Sequence, residues 1–127
     1  MTDPIADLLI RIKNGYMARR QKITVPHSNV KEALVKLLHK YGYVGEVTYT
    51  KGDALISIAL LYADGVPALT EVKRLSRPGL RRYIRAKDLK SIRQGLGYVI
   101  LSTPQGLKTH IEAKKIGIGG EVLCTIW

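Results

Sequence analysis

Between Lys73 and Arg93 the chain carries nine Lys/Arg and a single acid, Asp88, in 21 positions. Cationic density of this kind suits repeated phosphate contact, because each neutralised phosphate releases condensed counterions and so stabilises a complex. A charge run is more often only a solvated face. Here it sits in a chain with a formal net charge of +11, which shifts the reading towards a polyanionic partner, nucleic acid first among them. The excess is uneven: residues 1–65 hold 9 Lys/Arg against 6 Asp/Glu, and residues 66–127 hold 12 against 4. The second half is therefore the half that faces the anion. Arg81-Arg82-Tyr83 adds an aromatic ring that can stack on a base or sugar, although a strand tyrosine packed on a core has the same pattern.

Ser102-Thr103-Pro104-Gln105-Gly106 follows an apolar run and precedes a helix start. Hydroxyls at a strand end, beside a glycine that admits close backbone approach, can hydrogen-bond 2′-hydroxyls and base edges where long cationic side chains find only phosphate. An ordinary strand-to-helix turn uses the same residues. Gly117-Ile118-Gly119-Gly120 lacks the spacings of the dinucleotide and Walker A loops and follows a helix, so capping is its better reading. His27, His39 and His110 are widely spaced, with no CxxC or HExxH beside them, which excludes an obvious metal site. Cys124 lies in an apolar run and reads as a core residue. No nucleophile elbow and no carboxylate pair stands out, so no catalytic residue, metal or cofactor is expected.

The elements that position these residues follow from periodicity. Ile5, Leu8, Leu9, Ile12 and Tyr16 mark one face of a helix, begun by Asp3 and Pro4 and weakened at its end by Gly15. Residues 22–25 form a short strand stopped by Pro26. A second helix starts near residue 29, with Val30, Leu34, Leu37, Leu38 and Tyr41 on one face and Gly42 closing it. Tyr43–Thr50 and Ala54–Tyr62 read as strands of a hairpin turning at Lys51-Gly52-Asp53. Turn residues at 63–67 coincide with the change in charge balance, which places a boundary near residue 65. Beyond it lie strands at 69–75 and 81–85 flanking the turn Arg77-Pro78-Gly79. A short helix from about Asp88 to Gly95–Gly97 follows, then a strand at 98–101. The loop at 102–106 leads into a helix opened by the capping box Thr109-His110-Ile111-Glu112, and a last strand covers 121–127. The expected fold is α+β, with an N-terminal αβαββ half over 1–65 and a β-rich C-terminal half with short helices over 66–127.

With 46% apolar residues in 127, the chain can bury a core. No apolar run approaches the ~20 residues of a membrane span, and the N-terminus lacks the continuous apolar stretch of a signal peptide. A lone cysteine asks for no oxidising compartment. Two other classes share the basic surface. An enzyme acting on RNA would show a carboxylate pair or a His/Lys constellation. A DNA-binding module would show a helix-turn-helix with a polar second helix, whereas the second helix here is apolar along one face.

TDPIADLLIRIKNG, SRPGLRRY and GLGYVILSTPQGLKTHIEAKKIGIGGEVLCTIW, in this order across nearly the whole chain, resemble the small-subunit ribosomal protein eight family in its bacterial form. The resemblance implies a structural protein that binds a stem with an irregular internal loop in the central domain of small-subunit rRNA. It further implies ribosomal protein neighbours, a mimic of that stem in the protein's own messenger, and residence on cytoplasmic or organellar ribosomes. By the same resemblance Ser102, Thr103 and Gly106 match the RNA-contacting loop, Gly120 and Glu121 the segment beside it, and Tyr83 a nearby aromatic. Arg81 and Arg82 belong to the cationic run, and Arg11, Lys13 and Asn14 match helix positions turned towards rRNA. The family loop is usually S-T-S-K-G. Pro104 and Gln105 stand in place of its second Ser and its Lys, and Lys108 could return the charge nearby.

Overall fold

A computed structural model of the 127-residue chain describes residues 3–50, 52, 54–92 and 97–127. The described residues form an α+β fold that divides into two compact units, Asp3–Thr70 and Glu71–Trp127.

In the N-terminal unit, helix α1 spans Pro4–Met17. The Asp3 carboxylate accepts the Ala6 N–H at 3.1 Å, and Pro4 has no N–H to leave unpaired. Gly15 lies inside the helix and does not end it: a Cβ there would stand 2.8 Å from Ile23 Cγ2 and 3.0 Å from Leu60 Cδ1. Helix α2, Asn29–Lys40, is capped by Ser28, whose hydroxyl accepts the Lys31 N–H. Strands β1 (Lys22–Pro26), β2 (Val47–Thr50) and β3 (Leu55–Ala59) form an antiparallel sheet in the order β1-β3-β2. Pairing of Ile23 and Val25 with Ile58 and Ile56, and of these with Val47 and Tyr49, collects the apolar residues on one face. Val25, Ile56 and Ile58 are fully buried there, as are Leu8 and Ile12 of α1 and Leu34, Val35 and Leu38 of α2.

Two strands are shorter than periodicity predicts. Residues 43–46 lie between α2 and β2: Gly42 is left-handed (φ +80°), and the Tyr43 N–H returns to the Leu38 carbonyl to close α2. Residues 60–61 separate β3 from β4 (Tyr62–Ala63), which pairs with β5 (Val66–Pro67). Asp64 and Gly65 both have positive φ, 51° and 79°, the signature of a two-residue hairpin turn. The turn that suggested a boundary thus closes a hairpin, and the contacts divide the chain after Thr70. The proposed Lys51-Gly52-Asp53 turn involves Lys51 and Asp53, which lie outside the described residues.

The C-terminal unit is built on β10 (Gly120–Ile126). Its sheet runs β6-β10-β8-β9, with β6 at Val72–Arg74, β8 at Tyr98–Thr103 and β9 at Gly106–Thr109; β7 (Tyr83–Ile84) also pairs with β10. Only three and two residues of the expected strands at 69–75 and 81–85 join the ladder. The short helix expected from about Asp88 is a 3-10 helix over Ala86–Ser91, beginning two residues earlier, and Arg93–Leu96 lie outside the described residues. Helix α3, His110–Ile116, begins with the expected capping box at Thr109 and Glu112 and ends at left-handed Gly117. Leu89, Val99, Leu101 and Ala113 form the core beneath the sheet, lined by Leu75, Ile84, Ile92 and Val122.

One side chain of the N-terminal unit joins three segments: the Tyr16 hydroxyl donates to the Tyr43 carbonyl at 2.6 Å and accepts the Leu61 N–H at 3.1 Å. Tyr16→Phe leaves both backbone groups without this partner and should cost about 1–3 kcal/mol, read as a lower midpoint for that unit in urea denaturation; an unchanged midpoint would show that these bonds add nothing.

Candidate nucleic-acid interface

Residues far apart in sequence are aligned across the C-terminal sheet. Tyr83 of β7 pairs with Glu121 of β10, Glu121 with Ser102 of β8, and Ser102 with Leu107 of β9. Directly opposed residues share a face, so these four form one row, opposite in phase to the core residue Leu101. Tyr83 is 68% exposed. Neither the Ser102 hydroxyl nor the Glu121 carboxylate has a side-chain partner among the described residues. Leu107 was not singled out from the sequence; only the strand register brings it into the row.

The row depends on two glycines. A Cβ on Gly120 would lie 2.1 Å from the Ser102 carbonyl oxygen, and one on Gly119 would lie 2.2 Å from that of Ile84. Here the backbone of β10 passes β7 and β8 where no side chain fits. Gly119-Gly120 is therefore more than the helix terminator its sequence suggests.

The Ser102–Gly106 segment is the end of a hairpin and not a strand-to-helix turn. Ser102 and Thr103 belong to β8, Pro104 and Gln105 form the connection, and Gly106 begins β9. The Thr103 hydroxyl donates to the Gly106 carbonyl at 2.7 Å and accepts the Gln105 N–H at 3.1 Å. Thr103 therefore builds the turn, while Ser102 stands in the row. Pro104 fits, because the turn uses the N–H of Gln105 and needs none from residue 104. Gly106 has φ +104°, which a side chain would strain. Lys108 pairs with Leu101, on the opposite face from Ser102, so it does not return a charge to the row.

Arg81 and Arg82 are exposed in the connection that ends at Tyr83. The Arg82 carbonyl accepts the Val122 N–H at 2.9 Å, which ties this segment to β10. In the N-terminal unit, Arg11 is exposed on α1 and donates to Asp7 at 3.1 Å. Arg11 and Asn14 border an open groove with Arg20 and Thr24, whereas Lys13 lines a different one with Tyr16 and Met17.

Other reactive groups serve packing. Cys124 is buried, and burial pushes its thiol up to about 12, against the opposing charge of Arg74; a thiol so held is a poor nucleophile. Among the described residues no His/Cys/Asp/Glu group could hold a metal ion. No helix among them is long and apolar enough to cross a membrane.

This arrangement defines a basic α+β protein with a polar and aromatic row across an antiparallel sheet. A family model described as Ribosomal protein S8 matches residues 3–127. The chain is similar to small ribosomal subunit protein uS8 of Persephonella marina, 43% identical over 135 residues that cover 100% of this chain and 99% of that protein. It is 43% identical to the protein of that name from Porphyromonas gingivalis, with 100% of both chains covered. Against that of Pseudomonas fluorescens strain SBW25 it is 45% identical, covering 100% of this chain and 98% of the relative. The chain belongs to the ribosomal protein S8 family, a family of small-subunit ribosomal proteins and not of enzymes.

Two measurements test this geometry. Gly120→Ala should destabilise the C-terminal unit by about 2 kcal/mol or more, since its methyl group meets backbone oxygen, and should speed amide exchange at Ser102; wild-type exchange would contradict the close approach. His110 supplies the second. Its Nδ1 accepts the Val99 N–H at 3.1 Å, which requires a deprotonated nitrogen, and burial, with the charge of Lys114, lowers its pKa below the usual 6.5. The unfolded chain then binds more protons than the folded one as pH falls through 6.5. The stabilisation is complete above that value and is lost progressively below it. Melting from pH 8 to 5 should show a steeper decline for wild type than for His110→Leu; parallel curves would remove His110 as the cause.

Proposed function

We propose that this chain is an rRNA-binding constituent of the small ribosomal subunit. On this reading it grips a stem with an irregular internal loop in the central domain of the subunit's rRNA. The observation that supports it is the row Tyr83–Glu121–Ser102, which sets a stacking surface, an acceptor and a hydroxyl side by side. An unpaired base can stack on Tyr83, while Ser102 and Glu121 meet 2′-hydroxyls or base edges. The Thr103–Gly106 turn and Gly120 give the rigid, close-fitting backbone around Ser102. Arg81 and Arg82 supply attraction to phosphate that is blind to sequence. Arg11, Lys13 and Asn14 form a secondary contact of the N-terminal unit with rRNA, carried by family resemblance. Neighbouring small-subunit ribosomal proteins complete its surroundings on the cytoplasmic ribosome. A stem of the same shape in the protein's own messenger would occupy the same row and repress translation.

Binding to the isolated irregular stem, against a fully paired control, tests the reading. Ser102→Ala should weaken stem binding by about 1–3 kcal/mol with an unchanged melting temperature. Thr103→Ala should weaken it by a similar amount and also lower the melting temperature, because it opens the turn. Unchanged affinity in both variants sinks the assignment of this face.

A further inference from the structure

The connection from β6 to β7 carries cations on a frame that nothing in the row explains. At Val122–Cys124 the pairing of β10 with β8 shifts by a bulge. The Leu123 carbonyl at this point accepts three donors: the N–H groups of Leu75 and Ser76, at 2.9 and 3.3 Å, and the Arg74 guanidinium at 2.6 Å. Ser76 is fully buried. Its hydroxyl accepts the Arg82 N–H at 2.8 Å and donates to the Arg82 carbonyl at 3.2 Å. Between these anchors Arg77 and Leu80 exchange backbone bonds at 3.0 and 2.9 Å across Pro78-Gly79. The connection is thus fixed at its start, its tip and its end.

Within this frame Lys73, Arg74, Leu75, Arg77, Leu80 and Arg82 line a concavity of about 300 Å³. Arg74 is committed to Leu123, but Lys73, Arg77 and Arg82 are exposed and no carboxylate among the described residues pairs with them. Three cations held together without an acid repel one another, a cost that an anion between them removes. Two further features favour a nucleic-acid strand over a free anion. Leu80 is 60% exposed beside the cations, offering an apolar surface to a sugar. Arg82 adjoins Tyr83, so the concavity opens next to the end of the row.

We propose that this concavity is a phosphodiester-binding site: Lys73, Arg77 and Arg82 hold the backbone of the RNA strand that lies beside the Tyr83–Glu121–Ser102 row, with Ser76 as the positioning residue. The inference rests on the reading that the chain binds RNA, but not on which bases the row selects. It predicts contact energy without sequence preference, and a salt dependence set by the number of phosphates held.

The test uses the full chain, the irregular stem and the fully paired control, each titrated over a salt series. Lys73→Gln with Arg77→Gln should make the salt slope shallower by roughly 0.7 to 0.9 per charge removed on both RNAs. The preference for the irregular stem should stay at its wild-type ratio. Lys36→Gln, which removes an exposed charge from α2, should leave the slope nearly unchanged. Ser76→Ala should also shallow the slope, although it removes no charge. Slopes unchanged in the double variant, or shifted equally by Lys36→Gln, overturn the site, as does a loss confined to the irregular stem. Wild-type binding without preference for that stem would sink the row as a reader while leaving the phosphate site standing on its slopes. Titration with inorganic phosphate alone, followed by the amide resonances of residues 76–82, should give no saturable shift; a saturable one would mean a free-anion site and overturn the assignment to a strand.

Discussion

The architecture of the C-terminal unit depends on how closely β10 passes its neighbours. At Gly119-Gly120 the strand runs against the carbonyl groups of Ile84 and Ser102, and this contact sets the register that places Glu121 between Tyr83 and Ser102. A strand register is discrete: a shift of one residue would turn Glu121 towards the core and Gly120 into the row. The close approach therefore fixes which groups face outward. The bulge two residues on changes the phase again, so that Cys124 pairs with Ile100 and both are fully buried. One strand thus carries a solvent-facing polar position and a buried apolar one, separated by an irregularity that also frees the Leu123 carbonyl to anchor the cationic connection.

Polar groups in this unit fall into those that build the fold and those that face away from it. The hydroxyls of Ser76, Thr103 and Thr109 each hold a backbone turn or cap. Their removal would expose unsatisfied backbone groups. Ser102 has the same chemistry as its neighbour Thr103 but no such duty. Alternation along β8 assigns the two roles, because adjacent residues point to opposite faces.

This alternation also marks how far the sequence could be read. Helix α1 was legible because the Asp3-Pro4 start and a 3.6-residue apolar period agree, and α2 because its apolar period runs up to Gly42, although its Ser28 cap was not singled out. The capping box at Thr109 and the left-handed stop at Gly117 were legible for the same local reasons. What failed was non-local. A two-residue hairpin at Pro104-Gln105 has no Asn-Gly or Asp-Gly signature, and the short strand β9 that follows holds only Gly106–Thr109. The strands around Arg77-Pro78-Gly79 were read too long because ladder pairing with β10, and not β-propensity, decides where they end. The row shows the same limit: Ser102, Glu121 and Tyr83 stood out by type or by family resemblance, but their side-by-side placement is a property of register. Leu107 and Ser76 had no local signal at all.

Charge pairing separates the two units further than composition alone does. In the N-terminal unit Asp7 meets both Arg11 and Lys31, at 3.1 and 3.5 Å, and Glu32 meets both His27 and Lys36, at 3.1 and 3.3 Å. Those contacts hold the Glu32 carboxyl below its ordinary range, His27 contributing most. Acids there offset the cations beside them. In the C-terminal unit Asp88 pairs with Arg85 and Glu112 closes a capping box, while Glu71 accepts the Val72 N–H. These acids serve local structure, and the cations at Lys73, Arg77 and Arg82 are left without acidic partners among the described residues. Glu121, the one of the four acids beyond residue 65 that stands in the row, has no side-chain partner among the described residues. On the proposed reading this placement sorts the RNA by chemistry: a carboxylate repels phosphate and accepts from amino or hydroxyl donors. It therefore turns base edges and sugars towards Ser102, and leaves the phosphates to the cationic connection beyond Tyr83.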